Sequence, residues 1–116
     1  MKELFQNAAF CLFDIIAEKK AEVPQPQALL IEQKADDLQE LFVNWLNELV
    51  SLSSSKELIF FDFDVQEIND RSLRAIVSGC KAEYFKQNVE VKAATYHQLK
   101  VERDEKGWLA EVIFDV

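Results

Sequence analysis

Glycine and proline are scarce, two of each in 116 residues. With only Gly79 and Gly107, neither at a strand-to-helix turn, the chain cannot build a glycine-rich loop to cradle phosphates, which excludes that mode of nucleotide binding. Histidine occurs once, at His97, so no histidine pair is available for a metal. Cys11 and Cys80 are far apart and lack a C-x-x-C spacing. That excludes a zinc ribbon or a disulfide scaffold, and both are expected to be buried thiols. No apolar run reaches membrane-spanning length, and Met1-Lys2-Glu3-Leu4 has none of the apolar character of a signal peptide, so a soluble, cytoplasmic protein is expected. Basic side chains are outnumbered 13 to 21, a net charge of −8. Such a charge repels phosphate backbones and speaks against direct nucleic-acid binding.

What the chain does have is apolar material, 49% of residues with nine phenylalanines, enough for one compact core and one domain. Leu4, Phe5, Ala8, Ala9, Leu12, Ile15 and Ile16 recur at helical spacing and predict a helix over 2–19, with Lys19 and Lys20 complementing its dipole. Nothing before it resembles an N-cap. Pro24 and Pro26 break the chain, and Ala28–Ile31 reads as a short strand. Asp36 and Gln39 form a capping-box pattern ahead of a second helix with Leu38, Leu41, Phe42, Trp45, Leu46 and Leu49 inward, ending in a Ser51–Ser55 loop.

The remainder alternates with period two. Ile59, Phe61, Phe63 and Val65 share one face and Asp62, Asp64 and Gln66 the other; a strand over 73–77 follows, ending around Gly79. In the last third Val89, Val91, Ala93, Thr95, Leu99 and Val101 oppose Glu90, Lys92, Tyr96, Gln98 and Lys100. Asp104-Glu105-Lys106-Gly107 is a turn with glycine at the position needing positive φ, and 108–115 alternates again. In the hairpin this implies, residue 103 faces 108, Lys100 faces Glu111, Leu99 faces Val112 and His97 faces Phe114. Two early helices followed by strands give an α+β fold, a mainly antiparallel sheet packed with two helices and closed by a C-terminal β-hairpin.

His97 falls on the apolar face of its strand, where a structural role outweighs acid–base or metal chemistry. Asp62 and Asp64 are two apart on one strand face, the ordinary dress of a solvated face, although paired carboxylates also suit a hard cation. Asp115 ends the last strand beside the terminal carboxylate of Val116, and two such groups repel unless a cation lies between them. Lys92, among Val91, Ala93 and Ala94, reads equally as the polar member of the alternation or as a functional cation. The Trp45 stripe is core.

Residues 37–49 (Asp-Leu-Gln-Glu-Leu-Phe-Val-Asn-Trp-Leu-Asn-Glu-Leu), 90–97 (Glu-Val-Lys-Ala-Ala-Thr-Tyr-His) and the terminal Val112-Ile113-Phe114-Asp115-Val116, in that order and spacing, resemble the archease family, and the first helix also fits. The resemblance spans nearly all of residues 1–116, read as one archease-like domain. It implies an accessory protein, not an enzyme, that activates the tRNA-splicing RNA ligase joining 3′-phosphate to 5′-hydroxyl ends, promoting its guanylylation and turnover. It further implies a divalent cation (calcium, magnesium or manganese) with Asp115 as an acidic ligand, and a role in activation for Lys92. Archeases usually carry an opening strand and a His-Thr-Ala-Asp motif before the first helix. This chain starts inside that helix, so the motif's aspartate has no counterpart, weaker metal binding is expected, and an exposed sheet edge is open to self-association.

Two other functions compete with this one. The first is a chaperone or specificity modulator of RNA-processing enzymes such as tRNA methyltransferases. The second is a metal-dependent phosphoesterase using Asp62, Asp64 and Asp115, which lacks a nucleophile, base or second metal ligand. Purified protein is expected to show no phosphoesterase activity; activity abolished by Asp62→Asn would establish the hydrolase instead.

Overall fold

The computed structural model describes residues 1–20 and 22–116. Helix α1, Lys2–Ile16, turns Phe5, Ala9, Leu12, Phe13 and Ile16 into the core, and Met1 caps it without a side-chain bond. It ends three residues before the expected boundary. Ala17 is extended (φ −156°), and β1, Ala17–Lys19, pairs with β5, Phe85–Gln87. That pairing gives the helix end its partners: the Ile16 carbonyl, which would otherwise lack one, accepts from the Asn88 N–H at 2.7 Å. Lys19 and Lys20 therefore do not serve the helix dipole, and the Lys19 ammonium lies 5.5 Å from the centre of the Phe61 ring.

Strand β2, Gln27–Lys34, is longer than the four residues expected and pairs with β4, Ser72–Lys81, which also pairs with β3, Leu58–Ile68. All these pairings are antiparallel. β4 runs through Gly79 instead of stopping there. A Cβ at that position would stand 2.3 Å from the Ile59 carbonyl oxygen, so glycine is required by the close approach of β3. β3 breaks its alternation with irregularities between Phe60 and Asp62 and between Val65 and Glu67. The first corrects the expected inward Phe61: Phe60 is fully buried and Phe61 only partly so, while Phe63 and Val65 face in and Asp62 and Asp64 face out as expected.

Helix α2, Leu38–Lys56, is capped by Asp37, not Asp36; the Asp37 Oδ1 accepts from the Glu40 N–H at 2.8 Å. The serines expected as a loop are its last two turns. Leu52 continues the apolar stripe one turn past Leu49, and the helix stops only at Glu57, in the left-handed region at φ 55°. Trp45 is fully buried, and its indole N–H donates to the Phe5 carbonyl at 2.9 Å. The helices meet through an edge-to-face contact of Phe5 with Phe42, and Phe13 packs on Phe60 and Phe63.

Strands β6, Ala93–Asp104, and β7, Gly107–Asp115, form the C-terminal hairpin. Its tip agrees with the expected register, with Lys100 opposite Glu111, Arg103 opposite Trp108, and Gly107 at φ 122°. Below Lys100 the register shifts: Thr95 faces Ile113 and Ala94 faces Phe114, with Gln98 at φ 53°. Leu99 and His97 thus do not oppose Val112 and Phe114. His97 is exposed, and Ala94, not Ala93 or Thr95, is buried. Residues 88–92 are not strand. Cys80 is buried as expected, but Cys11 is exposed. No helix among the described residues is long and apolar enough to cross a membrane.

Gly79→Ala is expected to lower the unfolding free energy in urea by about 3 kcal/mol, the upper end for overpacking, because the obstructing atom is backbone and cannot swing aside.

Candidate functional site

β6 and β7 bring Asp115 to Lys92. Ala93 faces Asp115 across the ladder, and the Lys92 N–H donates to the Asp115 carbonyl at 2.8 Å, closing the base of the hairpin. Both side chains are exposed. Among the described residues the one ion pair is Lys86 with Glu18, at 4.0 Å, so neither Lys92 nor Asp115 is held by an internal partner of opposite charge. Thr95 Oγ1 donates to the Ile113 carbonyl at 2.9 Å, stiffening the same end of the ribbon.

The hairpin rests on α2 through β6 and on α1 through β7, and one polar side chain of α2 makes specific contacts. Asn47 Oδ1 accepts from the Ala94 N–H at 2.6 Å while its Nδ2 donates to the Ala94 carbonyl at 3.2 Å. In the sequence Asn47 is indistinguishable from any polar residue on a helix, because its partner lies 47 residues away. Beside the corner, Glu90 and Val91 line a cleft of about 720 Å³ that also touches Lys56 and Glu57 at the C-terminal end of α2 and Lys81 and Glu83 at the end of β4 and just after it. Its mixed charge comes from three separate elements and left no local pattern to read.

Tyr96, 57% exposed, lies near the other end of α2. Its hydroxyl is held above the ordinary tyrosine range, first by partial desolvation and then by the negative charges of Glu40 and Asp37. The remaining sequence candidates are not gathered here. Asp62 and Asp64 project from the solvent face of β3, and His97 sits in the irregular stretch of β6.

A hard cation such as calcium takes six to eight oxygen ligands. Among the described residues no group of three or more His, Cys, Asp or Glu side chains is arranged to hold an ion. Asp115 supplies one carboxylate, fewer oxygen ligands than such a cation takes.

Residues 1–116 match the Archease protein family (MTH1598/TM1083). The chain belongs to the archease family. It is 35% identical over 124 residues to the protein archease of Methanosarcina acetivorans, covering 100% of this chain and 83% of that one. It is likewise 35% identical over 127 residues to the archease of Pyrococcus furiosus, covering 100% and 85%. The fold is shared with the crystal structure of a Thermotoga maritima archease described as a "possible chaperone", with a TM-score of 0.68, 23% identity, and coverage of 98% of this chain and 81% of that one. It is shared too with the solution structure of Methanobacterium thermoautotrophicum protein 1598, with a TM-score of 0.64 at 24% identity over 97% and 82% of the two chains. The hairpin base joins Lys92 and Asp115, the two residues that the sequence resemblance singled out.

The raised Tyr96 value has a testable sign. The folded state holds the phenolic proton more tightly than the unfolded state, so this contribution to stability is complete below pH 10 and is lost as pH rises through the higher folded value. Absorbance at the phenolate band, assigned by difference with Tyr96→Phe, is expected to give a Tyr96 midpoint above 10 that Glu40→Gln moves down.

Proposed function

We propose that this archease is an accessory protein that activates a 3′-phosphate/5′-hydroxyl RNA ligase in tRNA splicing, promoting its guanylylation and turnover without catalysing a reaction itself. The observation that carries the proposal is the hydrogen bond from the Lys92 N–H to the Asp115 carbonyl, which joins the backbones of a lysine and an aspartate, 23 residues apart in sequence and both exposed, at one corner of the hairpin. The partner's active-site cleft binds RNA and triphosphate and is therefore expected to be basic. A protein of net charge −8 approaches such a cleft with a favourable field and does not compete for the RNA.

In this reading Asp115 enters the cleft and contributes one carboxylate to the divalent-cation chemistry that the partner organises. Lys92 offsets negative charge on the incoming triphosphate or on a ligase carboxylate. A second reading, as a chaperone or specificity modulator of RNA-processing enzymes such as tRNA methyltransferases, is favoured by the large apolar side chains left in solvent, among them Phe10, Ile15 and Leu30.

Purified ligase, its RNA and GTP separate the two. A ligase activator raises the rate of guanylylation, whereas a chaperone changes only the partner's aggregation or specificity. Asp115→Ala and Lys92→Ala are each expected to cut the stimulation by about tenfold or more, the factor set by 1.4 kcal/mol, with unfolding midpoints unchanged. Wild-type stimulation by Asp115→Ala protein would exclude the role given to the carboxylate.

A further inference from the structure

We propose that Asn47 is the positioning residue of the Lys92–Asp115 corner: from the middle of α2 its side-chain amide bonds the backbone of β6 as a second neighbouring strand would, and so sets where both residues stand. The consequence for activation rests on the function proposed above; the geometry does not.

Asparagine is a poor choice for a helix interior, because its amide competes for backbone hydrogen bonds. Yet Asn47 sits near the centre of Leu38–Lys56, flanked one turn either way by buried Val43 and Val50. Its two bonds explain the choice. Among the described residues β6 is bonded to one other strand, β7. In an antiparallel strand alternate residues point their N–H and C=O away from the partner, and Ala94, 5% exposed, gives both of these groups to Asn47. Left unpaired, they would be buried polar groups without hydrogen-bond partners, which folded proteins seldom leave. A primary amide presents one donor and one acceptor side by side, as a strand residue does, and only Asn or Gln offers that pair from a side chain.

From Ala94 the path to the corner is short. The next residue, Ala93, faces Asp115, and the one after it, Lys92, donates to the Asp115 carbonyl. Any slip of β6 along α2 moves both. The amide therefore fixes the strand's position along the helix, which the apolar contacts around it, being non-directional, do not.

The test uses amide hydrogen exchange by NMR together with ligase stimulation. Asn47→Leu, similar in size but with neither donor nor acceptor, is expected to fold. The Ala94 and Lys92 amides should exchange about tenfold faster or more, while those of Trp45 and Phe60 are unaltered, the pattern of local rather than global opening. Stimulation is expected to fall by about tenfold, as for residues that orient a functional group. The decisive result is that Asn47→Leu added to Asp115→Ala causes no further loss, since a residue acting through Asp115 has nothing left to position.

Unchanged exchange at Ala94 and Lys92, or losses that multiply in the double variant, would overturn the assignment. If Asn47→Leu does not fold, Asn47→Asp serves in its place. It keeps the acceptor for the Ala94 N–H and sets a second oxygen against the Ala94 carbonyl, so the Lys92 and Asp115 amide resonances should shift and the same non-additivity should hold; unshifted resonances would overturn it equally. If Asp115→Ala alone leaves stimulation intact, the proposed function fails, and the exchange measurement still decides the role of Asn47.

Discussion

A two-stranded ribbon is marginally stable in water by itself, so the attachment of β6 to α2, with β7 set against α1, is the constraint on which the Lys92–Asp115 end of the molecule depends. Two kinds of interaction make it, and they do different work. Ala94 and Val101 are buried against the body of the protein, and Trp108, Ala110, Val112 and Phe114 pack on it partly buried. Apolar burial at roughly 25 cal/mol per Å² makes this contact the larger energetic term, but it tolerates sliding. The paired bonds of Asn47 to Ala94 contribute only about 1 kcal/mol each in net terms, but they accept a single geometry. Burial keeps the hairpin on the helix, and the amide decides at which residue it sits.

The electrostatics of the corner follow from what is not paired. A chain of net charge −8 that leaves Asp115 and Lys92 without internal partners keeps both groups available to an outside surface. Screening in cells extends over about 8 Å, so at close range a partner meets the local arrangement of charges rather than the net charge. The net charge acts earlier, in approach, and favours basic surfaces over phosphate-rich ones. Lys92 then adds one exposed positive charge at the hairpin base whose backbone it shares with Asp115.

How much of this was legible in the sequence depends on the range of the determining contact. The Trp45 stripe and the tip of the hairpin were readable, because helical spacing, the glycine at 107 and the opposed charges of Lys100 and Glu111 are local signals. The end of α1 was not: Ala17–Lys19 becomes a strand only because Phe85–Gln87, nearly seventy residues on, is there to pair with it. The Ser51–Ser55 run misled because composition suggested a loop, whereas serine is merely neutral in a helix and Leu52 carried the stripe onward. In β3, four consecutive apolar residues from Leu58 to Phe61 hid which phenylalanine faces in, and the bulge settled it for Phe60. Lys92 and Asp115 were singled out by resemblance; their proximity needed the register.

That register turns on the irregular stretch of β6, which had no sequence signal because its positive-φ residue is Gln98, not a glycine. From Thr95 to Lys100 the strand advances five residues while β7, from Ile113 to Glu111, advances two, so β6 carries three extra residues. An odd excess turns the strand over: Ala94 and Val101, seven apart, both face the core, which an unbroken strand of period two forbids. It also relocates the end of β7. Had the Lys100–Glu111 register continued unbroken, Asp115 would stand opposite Tyr96, with Lys92 beyond the last pair. With three residues looped out, Asp115 stands opposite Ala93 and its carbonyl takes the Lys92 N–H. The bulge and Asn47 therefore act on one coordinate from opposite sides, the first setting which residue of β6 meets Asp115 and the second holding that stretch of β6 against the helix.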